Sequence, residues 1–241
     1  MGAWLKVRRL GARRNFCQMG KATTSQLHAL ARRKLFVSVV SDVLDGLGYR
    51  EQAMASFIRP LDDALAMLGR ARTGLYREVY HVAANENPYE LEIALIDDLK
   101  PGEVAVLACS GSKRIAPWGE LLSTAARARR AAGCVTDGMT RDIRAIRKMR
   151  FPVFHGGIGP LDSKGRGQVA AIDVAIECAG VRIEPGDLIF GDADGVVAIP
   201  RRIERETLRR ALDKVSGEDK TRAELRRGAK LKDVFARHGI L

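Results

Sequence analysis

Two short groups of residues, 21 positions apart, have the types needed for chemistry on a small anion. The first is Gly119-Glu120, and the second is Arg141-Asp142. A glycine at a helix start lets an anion approach unpaired backbone N–H groups at the positive end of the helix dipole. A guanidinium beside a carboxylate can hold an anionic substrate and a hard cation together. The pattern predicts that Gly119 through Leu122 form a cradle for a carboxylate or a phosphate.

Local sequence signals place both groups on one helix–strand unit. The Ala-rich run from Leu121 to Ala132 has high helix propensity, and Gly133 predicts the end of that helix. A short apolar strand is predicted at Cys134 to Thr136, followed by a turn at Asp137-Gly138. The Arg–Asp pair then lies beyond the carboxyl end of a strand, where α/β proteins place their chemistry.

The Arg–Asp pair also has a purely structural interpretation. Asp142 can cap a helix from Ile143 to Met149, with Arg141 as its ion-pair partner. On spacing alone, this structural interpretation is favoured over a catalytic one.

Composition limits the class of protein. A chain of 241 residues with 46% hydrophobic residues can bury one full core, so a single domain is predicted for residues 22–241. No apolar run approaches the roughly 20 residues that span a bilayer, so no membrane partner is expected. The cysteines form no CxxC motif, which favours a reducing, cytoplasmic location; they are Cys17, Cys109, Cys134 and Cys178.

The net charge of +12 is concentrated near the N-terminus. Residues 1–41 hold nine Lys and Arg and no acid, whereas the remaining 200 residues carry 32 basic and 29 acidic side chains. No aromatic-interleaved basic stripe or nucleic-acid motif occurs in that balanced remainder, so no nucleic-acid partner is expected. Residues 1–21 could form an organelle-targeting leader, but a basic, disordered arm or an over-extended start is the favoured interpretation.

The rest of the chain alternates helical and strand patterns. Apolar residues from Phe36 to Leu47 recur at helical spacing, and strand patterns run from Gln168 to Pro200, with a hairpin turn at Asp192 to Gly195. Residues 203–241 are predicted to form a charged helical extension, broken at Gly217 and ending in an apolar tail. Further predicted elements are a helix from Pro88 to Leu99 and strands at Val104 to Ala108 and Pro152 to His155.

Several of these segments resemble one known family. Glu120 followed by Arg141-Asp142, the helix SDVLDGLG, the segment from Gly159 to Arg166, and the PGD–DGVV–P run together resemble the RraA-like family. That family includes divalent-metal-dependent 4-hydroxy-4-methyl-2-oxoglutarate/4-carboxy-4-hydroxy-2-oxoadipate aldolases and the regulator of ribonuclease activity. The resemblance implies an α/β layered fold, with a mixed central sheet or barrel flanked by helices, and a homotrimer or hexamer with active sites between protomers.

The resemblance also implies a function and a set of site residues. The expected activity is cleavage of a 4-hydroxy-2-keto acid to pyruvate, with oxaloacetate decarboxylation through the same enolate. Asp142 is expected to hold Mg²⁺ or Mn²⁺, with Glu218 of a neighbouring chain contributing in trans. Arg141 is expected to bind a substrate oxygen, the amides near Leu121 and Leu122 the substrate carboxylate, and Glu120 to orient a water or metal ligand.

Two alternatives stay open. The same fold can act as a non-catalytic regulator that binds a ribonuclease or another protein. A Schiff-base aldolase would instead need a lysine with a depressed pKa, and Lys113 and Lys164 lie on polar loops, which makes that route weaker. Asp162 and Arg166 can either fix the geometry of their loop or line the site, and the structural role is favoured.

Overall fold

The computed structural model describes residues 23–239, and these residues form two compact units. The sheet unit comprises Phe36–Glu204, and the helical unit comprises residues 23–35 together with residues 205–239. The predicted basic arm, residues 1–21, lies outside the described residues.

The described residues contain seven helices and ten strands, and most of these elements lie in the sheet unit. The helices are α1 (Thr24–Lys34), α2 (Val37–Gly46), α3 (Glu90–Asp97), α4 (Glu120–Ala128), α5 (Ile143–Met149), α6 (Glu204–Arg226) and α7 (Leu231–His238). The strands are β1 (Arg59–Pro60), β2 (Met67–Glu78), β3 (Glu103–Ala108), β4 (Gly133–Thr140), β5 (Val153–Ile158), β6 (Gly167–Ile172), β7 (Ile176–Cys178), β8 (Val181–Ile183), β9 (Leu188–Asp192) and β10 (Gly195–Ile199).

A mixed sheet of eight strands curves into a nearly closed barrel. Its strand order is β1-β5-β4-β3-β2-β9-β10, with β6 also paired to β2. Strands β2 to β5 are parallel to one another, and the helices α3, α4 and α5 connect or follow them. The segment from Gln52 to Pro60 pairs with β10 at one end and with β5 at the other, so it brings the two edges together. The predicted mixed sheet or barrel flanked by helices is confirmed.

Two apolar cores lie on opposite faces of this sheet, and successive residues of β3 show why. Val104 and Val106 point into the barrel, whereas Ala105 and Leu107 point outward to the helices. This alternation follows from the two-residue period of a strand. The β7–β8 hairpin contributes Ile176, Cys178, Val181 and Ile183 to the inner core.

Strand β4 differs from the prediction. The expected turn at Asp137-Gly138 was wrong, because both residues lie inside a strand that continues to Thr140. The Asp137 side chain is buried, and its carboxylate accepts hydrogen bonds from the backbone amides of Cys109 and of Gly111, the latter at 3.1 Å. These backbone partners let an Asp-Gly pair lie within a sheet, at a point where the pairing with β5 shifts register.

Of two further predictions about helices, one is confirmed and one was wrong. Helix α2 buries Val39, Val40, Val43 and Leu44, so the predicted helical stripe is confirmed. The predicted break at Gly217 was wrong, because α6 runs without interruption from Glu204 to Arg226. One glycine costs only about 1 kcal/mol in a helix interior, which the rest of a 23-residue helix can offset.

The predicted run of strands from Gln168 to Pro200 is confirmed, because β6 to β10 lie between Gly167 and Ile199. The sheet is complete at Ile199, and Gly195 pairs with Asp192 across the predicted hairpin turn. Between residues 23 and 239, no helix combines the length and the apolar character required to cross a membrane.

Candidate active site

The two groups of site residues meet at the edge where the parallel strands end. Helix α4 runs away from this edge and β4 runs back to it, so the start of the helix adjoins the end of the strand. Trp118 pairs with Thr140 in a parallel bridge, and its carbonyl accepts hydrogen bonds from the Thr140 hydroxyl at 3.0 Å and the Arg141 amide at 2.9 Å. These bonds fix Gly119-Glu120 beside Arg141-Asp142.

Gly119 is required by the close approach of the Arg–Asp pair. A Cβ atom at this position would lie 2.7 Å from Asp142 Oδ2 and 3.2 Å from Arg141 Cγ. Both distances are shorter than a normal contact, and the Gly119 backbone itself is extended. The glycine therefore provides space for the two functional side chains and is not needed for an unusual backbone angle.

Asp142 adopts a left-handed backbone conformation, with φ of 58° and ψ of 31°. It precedes α5, but its side chain does not cap that helix, so the predicted capping role was wrong. Instead, Asp142 Oδ2 accepts a hydrogen bond from the Glu120 amide at 3.2 Å, at the start of α4. A strained backbone that turns a carboxylate toward another helix is typical of a functional position.

Arg141 lies between two carboxylates. Its Nε is 3.8 Å from Asp142 Oδ2, and its Nη2 is 3.4 Å from Asp162 Oδ1. About a third to a half of each of these three side chains remains exposed. The guanidinium thus has a carboxylate near two of its nitrogens while it stays accessible to a ligand.

The first turn of α4 exposes two backbone amides and one apolar side chain. The backbone amides of Leu121 and Leu122 have no hydrogen-bond acceptor among residues 23–239, as expected for the start of a helix. The Leu121 side chain is 77% exposed. The Glu120 side chain lies along α4, and its Oε1 accepts a hydrogen bond from the Thr124 hydroxyl at 2.8 Å.

Comparison with known proteins connects this arrangement to a family. Residues 37–198 match the model of the RraA-like family, described as Aldolase/RraA. The chain belongs to the RraA-like family. It is 36% identical over 187 residues to a protein of Halalkalibacterium halodurans named "Putative 4-hydroxy-4-methyl-2-oxoglutarate aldolase", a match that covers 78% of this chain and 83% of that protein. An uncharacterized protein of Methanocaldococcus jannaschii is 37% identical over 132 residues, and there the match spans 63% of its length.

Solved structures show the same fold. A Streptomyces coelicolor protein, described as an unusual member of the RNase ES inhibitor RraA protein family, matches with a TM-score of 0.74 and 26% identity, covering 84% of this chain and 98% of that one. An uncharacterized Pseudomonas syringae protein matches with a TM-score of 0.77 and 25% identity, covering 89% and 98%. The RraA-like family therefore includes both proteins named as aldolases and proteins named as ribonuclease inhibitors.

Three further residues of this RraA-like chain lie beside the site, and sequence reasoning missed them. The Tyr89 hydroxyl donates to Asp162 Oδ2 at 2.6 Å, and the Tyr76 hydroxyl donates to Glu92 Oε2. Desolvation raises the pKa of Glu92 to about 6, with the nearby charge of Asp162 acting in the same direction. The sequence contained one signal for Glu92. This residue shares a helical face with Leu95 and Ile96, three and four positions on, and a charged residue on such a usually apolar face suggests a special role.

Desolvation and hydrogen bonding oppose each other at Asp162. Desolvation acts to raise the pKa of Asp162, but the Tyr89 hydrogen bond and the Arg141 charge outweigh it, and the pKa lies below its ordinary value. The pKa of Tyr89 is raised to about 12 by desolvation and by its bond to Asp162. At neutral pH, Asp162 is therefore an ionised acceptor and Tyr89 a protonated donor.

The remaining predicted residues lie elsewhere. Glu218 belongs to α6 in the helical unit, with Oε2 3.6 Å from Arg222 Nη2, and its role in a neighbouring chain stays a prediction. Lys113 and Lys164 are both exposed. Lys113 Nζ lies 3.4 Å from the Gly156 carbonyl oxygen, in surroundings that do not desolvate its amine as a Schiff-base lysine requires.

Proposed function

We propose that this chain is a divalent-metal-dependent aldolase that cleaves a 4-hydroxy-2-keto acid, such as 4-hydroxy-4-methyl-2-oxoglutarate, to pyruvate and a second keto acid. Oxaloacetate decarboxylation is proposed as a second activity, because it passes through the same pyruvate enolate. The family and the name of the H. halodurans relative support a lyase of this kind.

The observation that carries the proposal is the meeting of Arg141, Asp142 and the start of α4 within one small volume. A Cβ atom built on Gly119 would lie 2.7 Å from Asp142 Oδ2 and 3.3 Å from Arg141 Nε. A 2-keto acid offers a carboxylate and a keto oxygen on adjacent carbons. The amides of Leu121 and Leu122, which have no acceptor among residues 23–239, suit the carboxylate, and the guanidinium of Arg141 suits the keto oxygen.

The donor set near Asp142 fits Mg²⁺ or Mn²⁺ better than Zn²⁺. Among residues 23–239, no group of three or more His, Cys, Asp or Glu side chains is arranged to enclose a metal. Magnesium often uses one or two carboxylates and fills its other positions with water and substrate oxygens. Asp142, whose side chain is 48% exposed, would be its ligand from this chain, and the ion would supply Lewis acidity to the substrate's keto oxygen.

The chain's own residues then act on the substrate in a defined order. The helix start and Arg141 orient the keto acid, and a water removes the proton from the C4 hydroxyl. The C3–C4 bond breaks, the C4 hydroxyl becomes a carbonyl, and the bonding pair passes through C3 to the keto oxygen as an enolate. Arg141 stabilises the negative charge that develops there. Return of the proton to C3 gives pyruvate.

The decisive experiment measures pyruvate release from 4-hydroxy-2-keto acids and from oxaloacetate, with and without EDTA. We expect release that is abolished by EDTA and restored by Mg²⁺ or Mn²⁺. Arg141→Lys should lose most of this activity, because an ammonium cannot reproduce the two-pronged contact of a guanidinium. Full activity in EDTA, or near wild-type turnover of Arg141→Lys, would contradict the mechanism.

A second candidate function is a non-catalytic regulator that binds a ribonuclease or another protein. It is favoured by the likeness to the S. coelicolor protein of the RNase ES inhibitor family. The same assay separates the two candidates. A regulator would release no pyruvate from any of these acids, although Arg141 and Asp142 are both present.

We further propose that the active protein is a homotrimer or a dimer of trimers, with Glu218 of one chain completing the site of the next. Helix α7 supports an interface because Leu231 and Phe235 are 52% and 46% exposed, although Val234 between them is fully buried. Exposed apolar side chains on a terminal helix are commonly covered by a neighbouring subunit.

A further inference from the structure

The loop between β5 and β6 holds a carboxylate against the guanidinium of Arg141. Asp162 Oδ1 lies 3.4 Å from Arg141 Nη2, whereas Asp142 Oδ2 lies 3.8 Å from Nε of the same guanidinium. The sequence favoured a loop-fixing role for Asp162 over a place in the site, yet one of its two oxygens faces Arg141.

Asp162 is itself held in place from two directions. The Ser163 amide donates to Oδ1 at 2.8 Å, and the Tyr89 hydroxyl donates to Oδ2 at 2.6 Å. Tyr89 stands immediately before α3, so its ring position is fixed by a helix that packs on the outer core. Both oxygens of the carboxylate are therefore restrained before any ligand arrives.

The consequence for Arg141 is geometric. Long side chains that are partly exposed normally sample several rotamers, and ordering them on binding costs free energy. Here Asp142 restrains Nε and Asp162 restrains Nη2, which leaves the Nη1 group and the remaining hydrogens to face a ligand. Such preorganisation is worth most where charge develops during the reaction.

We propose that Asp162, held by Tyr89, is a positioning residue that orients Arg141 toward the keto acid. The inference rests on the proposed function for the identity of the substrate. It adds two residues, from the start of α3 and from the β5–β6 loop, to the groups at the start of α4 and just beyond β4.

Three variants test this inference, with one matched control. Asp162→Asn removes the charge, Asp162→Glu keeps it, and Tyr89→Phe removes only the hydroxyl. The control is Arg166→Gln, because Arg166 Nη1 donates to the Asp162 backbone oxygen at 3.3 Å and supports the same loop without touching the carboxylate. Kinetics with oxaloacetate and Mg²⁺ are combined with calorimetric binding of oxalate, a stable analogue of the pyruvate enolate.

We expect Asp162→Asn to lower kcat/KM about 10-fold to 100-fold, since a small displacement of a positioning group is costly. Tyr89→Phe should have a smaller effect in the same direction, and Asp162→Glu should recover part of the loss. The Kd of oxalate should rise in parallel at unchanged stoichiometry. Simple loss of folded protein would instead lower the stoichiometry and leave Kd unchanged. Arg166→Gln should change neither quantity by more than about twofold.

A double-mutant cycle tests whether Asp162 acts through Arg141. In the Arg141→Lys background, Asp162→Asn should cost less than about twofold, because the group it positions is already gone. A full additional loss in that background, or an Arg166→Gln variant as impaired as Asp162→Asn, would overturn the inference.

Crystal structures of the wild type and of Asp162→Asn give a readout that does not depend on activity. The Arg141 guanidinium should leave its wild-type position or lose its defined density in the variant. An unmoved Arg141 would refute the positioning role whatever the substrate is. Conversely, a displaced Arg141 in a protein that never releases pyruvate would retain the positioning role and refute only the proposed aldolase activity.

Discussion

The Asp142 carboxylate accepts a hydrogen bond from the Glu120 amide at 3.2 Å, and this bond joins the end of β4 to the start of α4. The carboxylate lies near the positive end of the α4 helix dipole, where negative charge is favoured, and 3.8 Å from Arg141 Nε. Only one of its two oxygens is used in this bond. The other is available to a cation or a ligand.

Replacement of Asp142 tests the proposed cation ligand. Asp142→Asn should reduce metal-dependent pyruvate release below detection, because an amide oxygen is a weaker ligand for a hard cation than a carboxylate. The fold should survive, with unfolding free energy lower by about 1 kcal/mol or less, since Asn tolerates the left-handed backbone at this position. Asp45→Asn, on an exposed face of α2, is the matched control. Activity that persists in Asp142→Asn would exclude the assignment.

Gly119 offers a way to disturb the site without removing any functional group. In Gly119→Ala the added Cβ would meet Asp142 Oδ2 at 2.7 Å, so the carboxylate must move. We expect at least a tenfold loss of turnover and a stability change within about 1 kcal/mol, since the displaced side chains are partly exposed. Gly46→Ala is the control, because no heavy atom lies within 4 Å of its added Cβ. Equal activities of the two variants would argue against the close-packed arrangement.

The buried Glu92 predicts a pH-dependent stability difference. Its pKa is raised by desolvation from 4.5 to about 6, so its ionisation destabilises the folded state. At a pH below the pKa of the unfolded state, the Glu92 carboxyl is protonated in both the folded and the unfolded state, so it does not lower the free energy of unfolding. As the pH rises from about 4.5 through 6 the folded state resists deprotonation, and stability falls by about 2 kcal/mol.

Glu92→Gln should remove this penalty because the amide oxygen still accepts from Tyr76 and carries no charge. The variant should match the wild type in urea unfolding at pH 4.5 and exceed it by about 2 kcal/mol at pH 7. Glu90→Gln, on an exposed position of the same helix, should show no such trend. A constant difference across this pH range would show that Glu92 does not titrate as described.

Shared sites are tested by mixing two inactive variants. Asp142→Asn and Glu218→Gln subunits, combined under conditions that allow exchange, should regain activity because about a quarter of the interfaces would pair one intact Asp142 with one intact Glu218. The measurement is pyruvate release before and after exchange, with sedimentation to establish oligomer size. An active monomer, or no recovery after verified exchange, would remove Glu218 from the site.

The basic N-terminal arm is expected to be dispensable. Residues 1–41 contain no acidic side chain, and the amphipathic pattern begins only near Thr23. Deletion of residues 1–21 should leave turnover and the gel-filtration profile unchanged. Loss of the oligomer on gel filtration would assign the arm a structural role.

Local patterns predicted the contiguous parts of this molecule and missed the contacts that join distant segments. The start of α4 and the limits of α5 could be predicted from helix propensity and from the glycine before α4, because these signals act within a few residues, although no side chain caps either helix. The bond between Tyr89 and Asp162 spans 73 residues and leaves no periodic signal. The Asp137-Gly138 turn was mispredicted for a related reason, since the amides that hold Asp137 come from a different loop.

The segment from Gln52 to Pro60 has a consequence for how copies of this chain can associate. Its backbone occupies the outer edge of β10, through Met54 and Ala198, and the outer edge of β5, through Arg59. An open edge would offer a template for another chain to extend the sheet, as in domain swapping and fibril growth. At these two edges the template is already used, so neighbouring copies must recognise each other there through side chains and not through continuous β-pairing.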